Sequence, residues 1–221
     1  MRSEIRAAAG KPVISFGARH VHPKVADVMD YAAIIGGCIT GSTPAGSRLA
    51  GLAPSGTMPH AMILIFGDTV RAALAFDKWM EESVPRIVLV DTFKDEVEES
   101  IRVAEAMKGR LFGVRLDTPS ERGRVTPYLV KEVRAKLDLA GYPTVQIIVS
   151  GGMVPERIGE FMAAGAPVDA FGVGSHIAHA APIDFTGDLK VVAGKPVAKR
   201  GRIPGITPNP QLAKVDLARF R

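Results

Sequence analysis

The sequence predicts an α/β fold: an irregular parallel α/β barrel, complete or incomplete, followed by a short C-terminal β appendage. Two observations support this prediction. Short apolar runs of strand length alternate with helical patterns along the chain, an order typical of a parallel sheet covered by helices. The runs are also apolar almost throughout, as expected for strands buried on both faces. Seven such units favour a barrel over an open sheet.

The predicted strands are the apolar runs of the chain. They lie at residues 12–19, 36–42, 53–59, 86–93, 110–117, 144–152 and 168–175. Helical patterns occur between them, at residues 22–35, 68–83, 94–109, 127–142 and 155–166. In the first of these helices Pro23 stands near the first turn, a position that suits proline. The third begins with acidic residues and ends in Lys108-Gly109, which matches the helix dipole and predicts a glycine stop.

The C-terminal part has a different pattern. Residues 188–200 predict two short strands around a turn of Gly194, Lys195 and Pro196, and the last residues form a basic tail. Turn residues between two short apolar stretches are typical of a hairpin. We therefore expect a barrel domain over residues 1–185, and a β-hairpin with its tail over residues 186–221.

Composition excludes several classes of protein. With 221 residues and 47% hydrophobic content, the chain can bury a full core. Its apolar runs are far shorter than the roughly 18 residues that a membrane span needs. Residues 1–10 carry an acid and lack the apolar segment of a secretory signal. The single cysteine, Cys38, cannot form an internal disulfide. We expect a cytoplasmic protein with no membrane partner.

The net charge of +5 does not by itself indicate a nucleic-acid partner. The basic residues are scattered among acids along the helical patterns, and aromatic residues make up only 6% of the chain. Basic residues around a pocket for a polyanionic small molecule explain the charge well. We therefore expect no nucleic-acid partner.

Polar residues cluster at the C-terminal ends of the predicted strands, where barrels keep their chemistry. Asp91 and Asp117 each end a strand, and Arg115 shares a side of its strand with Asp117. The last two strands end in Gly-rich turns at residues 150–152 and 172–175, which are suited to a phosphate. The carboxylates could hold ribose hydroxyls or a phosphate-bound magnesium. Helix N-caps and tight-turn glycines remain the alternatives.

His60 is the histidine whose local sequence stands out. It lies in SGTMPHAM (55–62), just before the apolar run MILIF. The local sequence alone allows two interpretations of His60. It could cap the loop and donate to a backbone carbonyl, or it could contact a reactive phosphate. The remaining histidines show neither a comparable context nor the spacing of a transition-metal site. They are His20, His22, His176 and His179.

Eight segments, in order along most of the chain, give it a family resemblance. They are SFGARHVHP, the GG of GGCITG, SGTMPHAM, LVDTF, GVRLDTPSERG, VSGGMVPERI, VDAFGVGSHI and GKPVAKRGRIPG. With them the chain resembles the barrel part of nicotinate phosphoribosyltransferases, closest to the archaeal-type branch. The resemblance implies a type II phosphoribosyltransferase fold, an irregular α/β barrel beside an N-terminal α/β sandwich domain. It also implies that nicotinate and phosphoribosyl pyrophosphate form nicotinate mononucleotide and pyrophosphate, driven by ATP hydrolysis.

The resemblance assigns roles to individual residues. His60 falls on the histidine that the family phosphorylates from ATP, and Asp117 on an aspartate beneath the pyridine and ribose. Asp91, taken from its place at a strand end, completes the expected catalytic set. The implied substrate-binding residues are Arg19, Arg115, Gly151, Gly152, Gly172 and Gly174. Two further substrate-binding residues, Thr57 and Ser175, are expected from their places before His60 and in the last Gly-rich turn. ATP is the implied co-substrate and Mg²⁺ the implied cofactor. The ligands of Mg²⁺ stay open, because Asp117-Thr118-Pro119-Ser120 stands where many relatives have Asp-Ser-Gly-Asp.

The resemblance also bears on the length of the chain. Residues 2–10 correspond to a helix just before the first barrel strand, so the N-terminal sandwich domain is expected to be absent. The expected partners are therefore a second copy in a homodimer or a separate sandwich-domain chain. Two alternatives stay open: a quinolinate phosphoribosyltransferase, which shares the fold, and a fragment or split subunit that binds phosphoribosyl pyrophosphate but is inactive alone.

Overall fold

Six parallel strands form a curled half-barrel in the computed structural model, which describes residues 2–181 and 183–213. The strands are β1 (Val13–Ser15), β2 (Thr40–Gly41), β3 (Ile87–Leu89), β4 (Gly113–Leu116), β5 (Gln146–Val149) and β6 (Ala170–Val173). Their order across the sheet is β2-β1-β6-β5-β4-β3. The predicted α/β class and its parallel sheet are therefore confirmed, and the barrel is an incomplete one.

The register of the sheet brings the strand ends to one edge. Ser15 pairs with Val173, Leu116 with Val149, and Leu89 with Arg115. Because all the strands are parallel, the segments that follow them emerge at the same edge of the sheet. The residues that the sequence placed at strand ends are thereby collected on one side of the molecule.

The predicted strand at residues 53–59 is wrong, because this segment is irregular. Pro54 and Pro59 lack the backbone N–H that a ladder requires. Only isolated bonds tie it to β2: Ser55 N–H donates to the carbonyl of Gly41 at 3.0 Å, and the Thr40 hydroxyl donates to the carbonyl of Ala53 at 2.8 Å. The segment lies in sequence between the two edge strands, β2 and β3. The sheet consequently stays open where this strand would have closed it.

Helices follow most strands. They are α1 (Arg2–Ala7), α2 (Pro23–Ile35), α3 (Pro44–Leu49), α4 (His60–Phe66), α5 (Thr69–Trp79), α6 (Glu96–Met107), α7 (Pro127–Leu139), α8 (Pro155–Ala163) and α9 (Ser175–Ala178). The five helices predicted from apolar periodicity are confirmed, with shorter ends. Proline occupies the start of α2, α7 and α8, where the absent N–H costs nothing.

The residue that ends helix α6 lies one position before the glycine predicted to end it. Lys108, rather than Gly109, takes the positive φ of 53° after the helix. The short 3₁₀ turn Lys108–Arg110 follows, and it returns the chain so that Leu111 is buried in the core. The position of Leu111 therefore sets the turn, and the lysine accepts an unfavourable backbone conformation.

The two faces of the sheet have different surroundings. Val114, Leu116 and Phe171 belong to the large cluster between the sheet and the helices. Ile14 and Ile148 belong to a small cluster with the Phe16 ring packed against it. Since side chains alternate along a strand, Arg115 lies on the opposite side from its neighbours at 114 and 116. It therefore enters the concave side of the half-barrel.

Cys38 lies between α2 and β2 and is buried in the large cluster. Burial, followed by the charge of Glu4, raises the pKa of the Cys38 thiol to about 12. The thiolate, which is the reactive form, is therefore scarce at neutral pH in the folded chain.

The chain divides into two compact units, one ending at Ala180 and the other beginning at Ala181. The second unit contains β7 (Val191–Val192) and β8 (Lys195–Pro196), which pair antiparallel. The two predicted strands are confirmed, but the turn is formed by Ala193 and Gly194, both with positive φ. Residues 214–221 of the predicted tail lie outside the described residues. No helix in the described ranges is long and apolar enough to cross a membrane.

Candidate active site

A pocket of about 510 Å³ opens at the C-terminal ends of the strands. It is lined by every residue predicted for the site except Asp91: Arg19, Thr57, His60, Arg115, Asp117, Gly151, Gly152, Gly172, Gly174 and Ser175. These residues come from segments that are far apart in sequence. The structure therefore brings the predicted set together in one cavity.

Asp91 lies behind His60 rather than in the pocket wall. His60 is the first residue of α4, and its Nε2 lies 3.2 Å from both carboxylate oxygens of Asp91. The Asp91 side chain is 1% exposed, whereas that of His60 is 40% exposed. The hydrogen bond to Asp91 raises the pKa of His60, against the opposing effect of burial. The bond of His60 thus goes to a buried carboxylate, rather than to a backbone carbonyl.

Arg115 is a cation on the concave side of the sheet, with a side chain that is 12% exposed. Its Nη1 donates to the Thr57 hydroxyl at 2.6 Å, and its Nη2 lies 3.6 Å from the Asp117 carboxylate. Its guanidinium carbon lies 5.5 Å from the centre of the Phe16 ring. Burial lowers the pKa of Arg115, but a guanidinium stays charged in proteins. Its Nε is buried without a hydrogen-bond partner among the described residues.

Asp117 joins two neighbouring strand ends. Its Oδ1 accepts a hydrogen bond from the Ser150 hydroxyl at 2.9 Å. A β-carbon placed on Gly151 would lie 3.0 Å from the same oxygen, and Gly151 has a φ of +86°. Glycine is therefore required here both for the backbone conformation and for the close approach of the carboxylate.

The glycines after β6 are constrained by packing. A β-carbon on Gly172 would lie 2.4 Å from the Phe16 ring, and one on Gly174 would lie 2.8 Å from the Phe16 carbonyl oxygen. Contact with Phe16 thus explains these two glycines without any ligand. A β-branched residue at Gly174 would therefore displace Phe16.

Two buried acids that the sequence analysis missed hold the loops of the pocket. Asp30 of α2 accepts hydrogen bonds from Ser15, Ser42 and Thr43, at 2.5, 3.1 and 2.7 Å. Glu96 of α6 accepts from the Thr118 hydroxyl at 2.6 Å. Asp30 could have been found from the sequence, because an acid on the apolar face of a helix is unusual. It lies on the same face of α2 as buried Ala26 and Ala33.

Glu96 also accepts from Arg122 Nη1 at 3.2 Å. The loop that follows Asp117 is therefore held at Thr118 and again at Arg122. Such supporting bonds fix the orientation of the residues that face a ligand. The Thr118 hydroxyl therefore has a structural partner.

The histidines set aside from the sequence have different surroundings. His20 lines the pocket, and its ring centre lies 6.4 Å from that of His179. His22 instead accepts a hydrogen bond from the Lys24 N–H at the start of α2, and His176 Nε2 lies 3.2 Å from Glu4. Sequence analysis missed His20; its position beside Arg19, after the first strand, was the available signal.

A magnesium ion in this pocket would have few protein ligands. No group of three or more His, Cys, Asp or Glu residues in the described ranges is arranged to hold a metal ion. The Asp91 carboxylate is occupied by His60, and Asp117 by Ser150 and Arg115. Mg²⁺ commonly binds through ligand phosphates with one or two carboxylates and water. Asp117 lines the pocket and Asp91 does not, so the Asp117 carboxylate is the one that would join such a site.

Comparison with known proteins gives a family and several relatives. Residues 1–188 match the family described as "Quinolinate phosphoribosyl transferase, C-terminal domain". Nicotinate phosphoribosyltransferase pncB2 of Mycobacterium tuberculosis is 32% identical over 176 residues, 78% of this chain and 37% of that protein. The nicotinate phosphoribosyltransferase of Bacillus subtilis is 32% identical over 183 residues, 79% of this chain and 36% of that protein.

Two solved structures are also similar to this chain. Nicotinate-nucleotide pyrophosphorylase from Pyrococcus furiosus is 49% identical, with a TM-score of 0.79 over 93% of this chain and 52% of that one. Nicotinate phosphoribosyltransferase from Porphyromonas gingivalis, at 20% identity and a TM-score of 0.59, covers 80% of this chain and 48% of that one, and shows a shared fold. The chain spans about half the length of these structures and little more than a third of the curated relatives.

Proposed function

The chain belongs to the quinolinate phosphoribosyl transferase C-terminal domain family, the barrel domain of type II phosphoribosyltransferases, and from this membership we propose that it forms nicotinate mononucleotide. The substrates are nicotinate and phosphoribosyl pyrophosphate, pyrophosphate is released, and ATP hydrolysis drives the reaction through a phosphohistidine. The observation that carries the proposal is the pairing of pocket-facing His60 with buried Asp91.

The pairing leaves one nitrogen of His60 available for phosphoryl transfer. With Nε2–H donated to Asp91, the lone pair lies on Nδ1. In the transfer, a bond forms between Nδ1 and the γ-phosphorus of ATP as the bond from that phosphorus to the ADP oxygen breaks. The imidazole becomes positively charged as it reacts, and the Asp91 carboxylate stabilises this charge.

The remaining pocket residues suit displacement at the ribose. Loss of pyrophosphate places positive charge on the sugar and negative charge on the leaving group. Arg19, Arg115 and Asp117 line the pocket. In this proposal the two arginines stabilise the leaving group, and Asp117 holds ribose hydroxyls or faces the sugar cation. Mg²⁺, when bound, neutralises phosphate charge. The ring nitrogen of nicotinate is itself nucleophilic, so no strong general base is needed.

A quinolinate phosphoribosyltransferase is the second candidate. It is favoured by the family description and by the Pyrococcus structure named a nicotinate-nucleotide pyrophosphorylase, at 49% identity. Quinolinate carries a second carboxylate, which is lost as CO₂. ATP plays no part in that reaction. The His60–Asp91 pair would then have no phosphoryl group to accept, and this is why nicotinate is preferred.

Labelling with γ-labelled ATP tests the proposal. We expect acid-labile label on the wild-type chain, supplied with a sandwich-domain chain if it requires one, and none on His60→Ala. His60→Ala should retain slow, ATP-independent transfer, because Arg115 and Asp117 remain in place. Label that persists in His60→Ala would place the phosphate elsewhere. An active wild type that uses quinolinate, releases CO₂ and ignores ATP would establish the second candidate.

We also propose that the chain works with a second polypeptide, either another copy or a chain carrying the α/β sandwich domain. One face of α2 supports this, because Val25, Val28 and Ile35 are exposed at helical spacing. Contiguous exposed apolar surface is typical of contact sites. Light scattering tests the proposal: a mass that stays monomeric at all concentrations, alone and with a sandwich-domain chain, would contradict it.

A further inference from the structure

His20 is a residue of the pocket wall that the proposed mechanism does not use. It ends the 3₁₀ turn Ala18–His20 that follows β1. A β-carbon placed on Gly174 would lie 3.2 Å from His20 Nε2, so the imidazole stands directly over this bare glycine. Gly174 in turn leads into α9. One ring nitrogen is therefore positioned at a Gly-rich turn that lines the pocket.

The ionisable groups around His20 carry positive charge or none. Arg19 precedes it in the same turn, and His179 faces it from the end of α9. His176 of the same helix is engaged by Glu4. No described carboxylate forms an ion pair with His20, whereas His60 and His176 each have one.

Helix α2 also packs against the turn. Its Asp30 carboxylate is turned to Ser15, Ser42 and Thr43. Lys24 and Asp27, also on this helix, form no hydrogen bond or ion pair with the imidazole among the described contacts. The position over Gly174 thus combines a ring nitrogen, a neighbouring guanidinium and no carboxylate bonded to the ring, which is an environment suited to an anion.

The protein groups around His20 disfavour a charged imidazole. Burial, then Arg19 and then His179 lower the pKa of His20, so the ring is neutral at physiological pH. A bound phosphate would reverse this balance, because an opposite charge within hydrogen-bond reach raises the pKa of an imidazole. The same ring would then gain a proton and become a charged donor to the anion.

We propose that His20 is a phosphate-binding residue and that it takes up one proton from solvent when an anion binds beside Gly174. The step makes one N–H bond on the imidazole and takes the proton from water or buffer. The inference rests on the proposed function only for its natural ligand, which would be a phosphorylated sugar or its pyrophosphate. Anion binding itself requires no catalysis.

Proton uptake predicts the direction of the pH dependence. The ring has the higher pKa in the bound state, so binding is strongest when pH is below the pKa of the free state. This increase in affinity is lost as pH rises through the pKa of the bound state. Each unit by which binding raises this pKa increases affinity about tenfold at low pH. Sulfate is a suitable probe, since it stays a dianion across this range.

Calorimetric titration with sulfate at about pH 6 and about pH 8 tests the proposal across the range of histidine titration. We expect affinity about tenfold higher at the lower pH, with net proton uptake measured from buffers of different ionisation heat. His20→Gln keeps a donor but cannot titrate, so its affinity should not vary with pH. His22→Gln is the matched control, because this exposed neighbour caps α2 instead, and it should behave like the wild type.

NMR titration of the His20 ring, with and without sulfate, gives a second measurement that does not depend on the variant's folding. A pKa that rises on binding supports the proposal. An unchanged pKa, pH dependence that survives in His20→Gln, or absence of sulfate binding would each overturn it. Ribose 5-phosphate and inorganic pyrophosphate, titrated in parallel, identify which phosphate group the site accepts. Sulfate binding with proton uptake, in a chain never phosphorylated on His60, would reject the proposed function and keep this inference.

Discussion

At the scale of single residues, the pair of His60 and Asp91 controls when the imidazole can react. The hydrogen bond to Asp91 raises the pKa of His60. Only the neutral ring is nucleophilic, so phosphorylation should fail as pH falls through this raised pKa. In Asp91→Asn the pKa should return toward its usual value and the acid limb of the rate profile should move to lower pH. The maximal rate should also fall, because the imidazolium loses its counter-charge. The rate of label incorporation against pH measures both effects, and an unshifted limb would contradict this role of Asp91.

The backbone conformation at the C-terminal end of α6 predicts how substitutions there change the stability of the chain. Lys108→Gly should raise the free energy of unfolding by about 1 kcal/mol, because glycine adopts the positive φ of Lys108 without strain. Gly109→Ala should be neutral or stabilising by about 0.4–1 kcal/mol, since nothing lies within 4 Å of its added β-carbon. Gly123→Ala is the control, with a φ of +85°, and should destabilise. Urea denaturation measures all three, and a destabilised Lys108→Gly would show that the lysine side chain matters more than its backbone.

At the scale of elements, Arg86 closes the C-terminal end of α5. Its guanidinium donates to backbone carbonyls of the helix end and the following loop, those of Asp77, Met80, Glu81 and Val84, and to the Asp77 carboxylate. Arg86→Met should cost about 3 kcal/mol of unfolding free energy, because the Asp77 carboxylate, only 10% exposed, and the four carbonyls lose their donor. Arg110→Met removes the other partner of Asp77, but Arg110 is 64% exposed and the cost should stay below about 1 kcal/mol. Equal costs in thermal denaturation would refute this distinction.

The elements also show what the sequence could predict. Apolar runs and helical periodicity located the six strands and the major helices, because those patterns arise from local burial. The failure at residues 53–59 has a different origin. Closing a barrel requires a hydrogen-bonding neighbour on each side, and the prolines of this segment cannot supply the donors. The same distinction between local pattern and distant partners applies to the residues of the site. Residues at strand ends were found from the pattern, whereas Asp30, Glu96 and His20 act through partners distant in sequence.

At the scale of the whole molecule, the exposed face of α2 predicts how the chain associates. Val28 and Ile35 are 62% and 67% exposed. If this face contacts another polypeptide, the double variant Val28→Lys and Ile35→Lys should lower the mass found by light scattering, because a buried lysine is costly. Leu139→Lys is the control, at 82% exposure on α7, and should leave the mass unchanged. An unchanged mass in the double variant would place the contact elsewhere.

The single cysteine is a built-in probe of local opening in the folded chain. Cys38 is 4% exposed and, with a pKa of about 12, it reacts with an alkylating reagent only when the region between α2 and β2 opens. The rate of alkylation therefore counts these openings at one known position, without any engineered label. Ser42, four residues further on, lines the pocket and is bonded to Asp30. A phosphate compound that occupies the pocket should slow the alkylation of Cys38, and the slowing would report ligand binding from inside the core.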